Sequence, residues 1–138
     1  MSFEIVNPEE LGAPSGWNNG MLAPAGGRLL FVAGQVGSDQ SGQVEPSEFV
    51  EQFGRALENV LAVVRDAGGE PEDIGRLTIY VTKREEYLAS RKPLGEKYRA
   101  LMGSHYPAIA LVEVAGLVEA NAVIEIEATA VLPGREPQ

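Results

Sequence analysis

Two glutamates near the carboxyl terminus are the residues of this chain best suited to proton transfer. Glu125 and Glu127 alternate with Ile124, Ile126 and Ala128, and this alternation places both carboxylates on one face of a strand. Two carboxylates at this spacing could orient a water molecule and exchange protons with a substrate. The same alternation is also typical of a strand with one solvent-facing side, which is the commoner case for strand carboxylates. Spacing alone leaves both interpretations open.

Two further side chains stand out because of their surroundings. Trp17 lies in a segment rich in glycine, proline and asparagine, which offers an aromatic ring little local core to join. It is a candidate ligand contact, with packing against a neighbouring subunit as the alternative. His105 precedes Tyr106 and Pro107 and could change protonation near neutral pH. A lone loop histidine is, however, more often a surface group than part of a site.

Composition argues against several classes of function. One histidine and no cysteine make a zinc site improbable, and no glycine-rich loop leads into a helix to bind phosphate. We therefore predict no metal and no cofactor. The net charge is −9, from 11 basic and 20 acidic residues, and the basic residues are scattered, which argues against a nucleic-acid partner. The sequence has no apolar run of the roughly 20 residues that a membrane helix needs and no signal-peptide pattern, so we expect no membrane partner and a cytoplasmic location.

The elements that must position these residues form one predicted α+β domain over residues 1–138, with 134–138 as a flexible tail. Apolar residues recur at helical spacing after Ser47, which can cap the first helix, and Gly68 and Gly69 end it. A second helix is predicted over 85–102, kinked near Pro93. Strands are predicted at 3–6, in a hairpin over 21–36, and at 76–82, 108–114 and 122–132. Helices on one face of this mixed sheet leave the other face to be covered by a partner subunit.

Short motifs in a fixed order resemble those of the Rid (YjgF) family. They are FVAGQV at 31–36, ALENV at 56–60, AGG at 67–69, EDI at 72–74, LTIYVT at 77–82, YPA at 106–108 and EIEA at 125–128. The resemblance implies a chorismate-mutase-like fold with two helices on one face of the sheet. It also implies a homotrimer with a central barrel and small-molecule ligand clefts between neighbouring subunits. The best-known branch of the family hydrolyses 2-imino and enamine acids to 2-oxo acids and ammonia.

The family's site residues match this sequence only in part. The glutamate that helps to position water corresponds to Glu125. The tyrosine of the amino-terminal loop falls at Trp17, and the serine of the SGQ motif is replaced by Ala33, followed by Gly34. The arginine that clamps the substrate carboxylate falls at Ile109, and an isoleucine cannot form the charged bidentate contact that a guanidinium offers. This departure marks a branch that lacks the deaminase arginine.

Two functions are therefore open. The chain could hydrolyse a neutral or cationic imine or enamine in a more apolar cleft, with Glu125 orienting the water. Alternatively, it could be a non-catalytic module that binds a small metabolite in the same interfacial pocket. The composition argues against a ribonuclease activity, since general acid/base cleavage of RNA favours histidines and basic phosphate contacts, and this chain has one histidine and a net charge of −9.

The first prediction concerns Ile109. Loss of two charge-assisted hydrogen bonds should lower the hydrolysis of small 2-imino acids by about 10²-fold or more relative to arginine-bearing relatives. Ammonia release from freshly generated 2-imino acids measures this rate, and Ile109→Arg should recover part of it. Vigorous turnover of 2-imino acids by the unmodified protein would show that another group binds the carboxylate.

Overall fold

The computed structural model describes residues 3–134 and contains a four-stranded mixed sheet with helices packed on one face. The predicted tail, 134–138, lies outside the described residues except for Gly134. The strands, in chain order, are β1 Glu4–Val6, β2 Gly20–Leu22, β3 Arg28–Gln35, β4 Ile74–Val81, β5 Ala108–Glu113 and β6 Ile124–Leu132. The helices are α1 Phe49–Asp66, α2 Arg84–Ala89 and α3 Arg91–Met102, with short 3-10 turns at Glu9–Leu11 and Pro71–Asp73.

The main sheet has the order β3-β6-β4-β5, with β4 and β5 parallel and the other pairs antiparallel. Parallel neighbours need a crossover connection, which α2 and α3 supply. β1 and β2 form a separate two-stranded sheet. No helix within residues 3–134 is long and apolar enough to cross a membrane. The mixed α+β architecture predicted from the sequence is confirmed.

The core lies between α1 and the sheet, and its pattern was readable from the sequence. Every predicted apolar position of α1 is buried, namely Phe49, Phe53, Ala56, Leu57, Val60, Leu61 and Val64. Along β6 the even-numbered residues from Ile124 to Leu132 are buried, while the odd-numbered ones are only half-buried. β6 pairs on both of its edges, so its register is fixed and its two faces cannot exchange.

Two polar side chains of α1 hold the segments that lead into the candidate site. The buried Gln52 amide donates to the Asn121 carbonyl and accepts from the Val123 backbone N–H, both at 2.9 Å. Asn59 donates to the carbonyls of Val36 at 2.9 Å and of Ser38 at 3.1 Å. Buried polar groups are costly unless they are paired in this way. Gln52 therefore fixes the segment that leads into β6, and Asn59 fixes the segment that follows β3.

The hairpin predicted over 21–36 is wrong. β2 pairs with β1 rather than with β3, in a register that opposes Val6 and Gly20. A side chain at Gly20 would lie 3.2 Å from the Val6 Cβ, so glycine permits the close pairing. Asn7 closes the intervening loop, since its amide donates to Asn18 Oδ1 at 2.8 Å and its oxygen accepts from the Asn19 N–H at 2.7 Å. These side-chain contacts decide the pairing.

The predicted second helix is two helices, separated at Ser90. Pro93 lies in the first turn of α3, where its missing N–H has no intrahelical partner to lose. A continuous helix would bring the proline ring against the carbonyl of residue 89, four positions earlier, so the chain breaks before the proline rather than bending at it. The predicted Ser47 cap is also wrong: α1 begins after Glu48 without a side-chain cap, and the Ser47 hydroxyl donates to the Glu45 carbonyl.

The sheet face that points away from the helices carries large apolar side chains. Phe31 is 74% exposed and Leu29 is 59% exposed, and Val112 of β5 is also exposed. A groove on this face is lined by Phe31 and Ala33 of β3 together with Arg76 and Thr78 of β4. Contiguous exposed apolar surface of this kind usually marks a contact with another chain.

The second prediction is that this face is the subunit contact of a homotrimer. Phe31→Glu would place a carboxylate in an apolar contact, at a cost of several kcal/mol, and should give monomers at micromolar concentration in sedimentation velocity. Val63→Glu, on the outward face of α1, is the matched control and should stay trimeric. A monomer for the unmodified protein would contradict the prediction.

Candidate functional site

Glu125 lies on the open sheet face, next to the backbone of β3. The β3–β6 register shifts between Val32 and Gln35, which places Ala33 and Gly34 at an irregularity of the ladder. A Cβ added at Gly34 would lie 2.5 Å from Glu125 Oε2 and 2.8 Å from its Cδ. The carboxylate therefore rests directly against the Gly34 main chain, in space that only glycine leaves open. Glu125 and Gly34, both predicted as site residues from the sequence, are therefore neighbours in the structure.

The four-stranded sheet has two other carboxylates, Glu127 of β6 and Glu113 of β5, and both are engaged in hydrogen bonds. The Tyr80 hydroxyl donates to Glu127 Oε1 at 2.6 Å, and this hydrogen bond to a carboxylate raises the pKa of Tyr80 above its usual value. The Glu113 carboxylate accepts a hydrogen bond of 2.8 Å from the backbone N–H of Arg84, in the first turn of α2. Within residues 3–134, no hydrogen bond engages the carboxylate of Glu125. Glu125 is thus the carboxylate of the three that remains available to a water molecule or a ligand.

A cavity of about 470 Å³ opens on the helix side of the sheet. It is bordered by the start of α1, by α2 and α3, by the strands β4, β5 and β6, and by the loop before β2. The described residues that line it are mainly apolar and aromatic: Ser15, Gly16, Trp17, Phe49, Phe53, Ile79, Tyr87, Arg91, Leu94, Gly95, Tyr98, Arg99, Tyr106, Ile109, Leu111 and Ile124. This volume and this lining are typical of a small-molecule site.

Trp17 reaches the cavity because its neighbour Asn18 attaches the loop to the entry of β5. The Asn18 amide donates to the Tyr106 carbonyl at 2.6 Å, and the Asn18 N–H donates to the Pro107 carbonyl at 3.1 Å. Trp17 itself remains 44% exposed, with its indole N–H 3.3 Å from Asn19 Oδ1. The backbone of this loop holds the ring at the cavity, where it stays accessible; its role as a ligand contact stays a prediction.

Two stacked tyrosines contribute to the lining of the cavity. The rings of Tyr98 and Tyr106 lie 5.1 Å apart and 11° from parallel. Burial raises the pKa of Tyr98 above its usual range, and its hydroxyl donates to the His105 carbonyl at 2.7 Å. His105 does not itself line the cavity: its Nε2 lies 2.7 Å from the Ile74 carbonyl, which can only accept. This geometry favours a structural role that ties the loop to β4.

Four of the predicted site residues thus fall into two groups on opposite faces of the sheet. Ile109 pairs with the buried Leu77 and faces the cavity with Trp17. Glu125 pairs with Tyr80 and faces the open side with Gly34. Side chains on opposite faces of one sheet cannot contact the same small ligand within a single chain.

Comparison with known proteins assigns the family. The model of the family described as Endoribonuclease L-PSP matches residues 9–132. A solved structure of a conserved Rid-family protein, YyfB of Yersinia pestis, superposes with a TM-score of 0.82 at 31% identity, covering 96% of this chain and 100% of that one. This chain is a member of the Rid family.

Two further relatives carry functional names. A goat (Capra hircus) protein named 2-iminobutanoate/2-iminopropanoate deaminase is 31% identical over 105 residues, which are 75% of this chain and 73% of that protein. The structure of Escherichia coli TdcF with bound serine superposes with a TM-score of 0.66 at 29% identity, covering 87% of this chain and 91% of TdcF. The Rid fold and a deaminase-like, small-metabolite role are thereby supported for this Rid protein.

The residues that sequence reasoning missed are those on the helix wall of the cavity. Tyr98, Arg91 and Arg99 are not among the site residues predicted from the sequence. The available signal was spacing: residues 91, 95 and 99 are four apart and share one face of a helix. That signal has no meaning until the structure shows that this face turns towards Trp17 and Ile109.

The third prediction tests the contact between Gly34 and Glu125. Gly34→Ala should displace the carboxylate and shift its carboxyl carbon resonance. Because the clash involves the mobile end of a side chain, the midpoint of thermal unfolding should change by no more than about 2 °C. Gly116→Ala, where an added Cβ meets nothing within 4 Å, is the control and should leave the Glu125 resonance in place. An unmoved Glu125 resonance in Gly34→Ala would refute the contact.

Proposed function

We propose that this Rid protein hydrolyses an imine or enamine substrate other than the small 2-imino acids. Glu125 orients the attacking water, and the cavity that contains Trp17 and Ile109 binds the body of the substrate. The observation that carries the proposal is the unengaged Glu125 carboxylate, resting against Gly34 at the position of the family's water-positioning glutamate. The deaminase name of the goat relative supports the same class of reaction.

The two groups of residues meet across a subunit boundary in this proposal. Glu125 and Ile109 lie on opposite faces of the sheet, so a site that uses both takes them from different copies of the chain. The exposed apolar face around Phe31 provides the contact, and a homotrimer provides three equivalent sites with closed symmetry. The open face of one subunit then supplies Glu125 and Gly34, and its neighbour supplies Trp17 and the cavity.

The proposed reaction requires Glu125 only to transfer protons. Water adds to the imine carbon, the nitrogen gains protons, and collapse of the carbinolamine gives a carbonyl product and ammonia. An ionised carboxylate can accept the proton of the attacking water and return it to the leaving nitrogen. No metal or cofactor is required for these steps. The apolar lining would protect the reactive imine from other nucleophiles until it meets this water.

A second candidate function is binding without turnover. Ile109 stands where the deaminases have their arginine, and the cavity is lined mainly by apolar and aromatic side chains. Such a pocket can retain a metabolite without holding it in a geometry for attack by water. Binding that survives the loss of Glu125, with no ammonia released, would favour this function.

The fourth prediction separates the two functions. Glu125→Gln keeps the size of the side chain and removes its capacity as a base, so ammonia release should fall by about 10²-fold or more, while ligand-induced thermal shifts remain. Glu58→Gln, on an exposed position of α1, removes the same charge and should be fully active. Equal activity of the Glu125→Gln and unmodified proteins would exclude Glu125 from catalysis.

Mixed trimers test whether the site is shared between subunits. Glu125→Gln and Trp17→Ala chains should each be impaired alone. Co-assembled in equal amounts, they should regain about one quarter of the unmodified activity, because one site in four then combines two intact halves. A mixture no more active than its components would place both residues in the site of a single subunit.

A further inference from the structure

The cavity has a charge opposite to that of the chain as a whole. The protein carries 20 acidic and 11 basic residues, yet none of the described residues that line the cavity is acidic. Its charged lining residues are Arg91 and Arg99, both from α3. An anion approaching the surface at large meets net repulsion, whereas one entering this cavity meets two guanidinium groups.

Neither guanidinium has a carboxylate partner in the described structure. Within residues 3–134, one ion pair has a nitrogen–oxygen distance under 4.0 Å, and it joins Arg55 to Glu51 on α1. Arg91 and Arg99 are thus unpaired cations beside an apolar cavity, and their five N–H donors each are suited to bind an oxyanion.

Gly95 gives Arg99 its position. A Cβ at Gly95 would lie 3.1 Å from Arg99 Nη1, so the guanidinium folds back along the helix over the bare backbone of this glycine. Side chains on a helix lean towards its amino terminus, and the four-residue spacing places Arg99 over Gly95 and Arg91 one turn further on. The glycine costs helix stability, and the space that it leaves is occupied by the charged group.

The opposite walls provide apolar and aromatic contacts. Ile109 lies on the strand side and Trp17 on the loop side, and the stacked rings of Tyr98, from α3 itself, and Tyr106 also line the cavity. We infer that this cavity binds an organic carboxylate with an aromatic or branched apolar body, whose anionic group is held by Arg91 and Arg99 of α3. Resting on the function proposed above, this assigns the substrate to amphipathic anions and places the anion contact on the helix instead of at Ile109.

This assignment changes the expected substrate. A neutral or cationic imine, one of the classes that the sequence left open, would gain nothing from two arginines. A small 2-imino acid carries its carboxylate next to the imine carbon and cannot also fill a cavity of about 470 Å³. A larger anion can place its charge at α3, its ring against Trp17 and its reactive carbon at the mouth of the cavity.

The test compares two probes of equal size in calorimetric titrations of the assembled protein. 3-Phenylpropionate and its neutral amide differ only in the anionic group. The carboxylate should bind at least about tenfold more tightly, as expected for a partly exposed charged contact. Arg91→Gln and Arg99→Gln should each weaken carboxylate binding towards the level of the amide. Lys97→Gln removes one positive charge from the same helix without touching the cavity and should change neither.

Gly95→Ala separates a binding role from a structural one. The added methyl group should stabilise α3 and displace the Arg99 guanidinium, so carboxylate binding should weaken while the unfolding temperature stays the same or rises. Equal binding of acid and amide, binding of neither at millimolar concentration, or an equal loss in Lys97→Gln would overturn the inference. Binding is measured without turnover, so an absence of ammonia release would count against the proposed hydrolysis and leave this assignment standing.

Discussion

β6 pairs with a neighbouring strand on each of its two edges, and this double pairing fixes which side chains face the helices and which face the open side of the sheet. With β3 on one side and β4 on the other, the strand cannot slip by a residue without turning its buried isoleucines to solvent. The same register turns Glu125 towards the open face and keeps Ile124 in the wall of the cavity. The Glu125 carboxylate and the apolar cavity are therefore separated by the thickness of the sheet. A site that needs both must be completed by another copy of the chain.

Much of the fold could be predicted because its signals are local. The apolar stripe of α1 and the alternation of β6 each specify a buried face within one element, and both are confirmed. The pairing of β2 could not be read in this way, because it depends on Asn7 reaching Asn18 and Asn19 across a loop. In the second helix the sequence predicts a bend at Pro93, whereas the structure has a break at Ser90. The sequence does not separate the two outcomes, because a proline is also accommodated in the first turn of a new helix.

The candidate site shows the same division. The residues themselves indicate Glu125 and Trp17, the family resemblance adds Gly34 and Ile109, and the structure gives each a defined place. What the sequence could not show is that Trp17 and Ile109 share a cavity while Glu125 lies behind the sheet. Nor could it show that the arginines of α3 face that cavity, because the rotation of a helix about its axis is set by packing. In the sequence alone, Arg91 and Arg99 look like ordinary surface arginines. In the structure, Leu94 and Tyr98 of the same helix lie in the core, and this packing fixes the rotation of α3 that turns both arginines towards the cavity.

We propose one small-molecule site shared by neighbouring subunits, with the anion held by α3. A crystal structure of the assembled protein with 3-phenylpropionate would show whether this site exists. We expect the carboxylate within hydrogen-bonding distance of Arg99 or Arg91, the phenyl ring against Trp17, and Glu125 of the neighbouring subunit facing the mouth of the same cavity. A ligand bound within a single chain with Glu125 remote from it, or bound away from α3 altogether, would contradict the account.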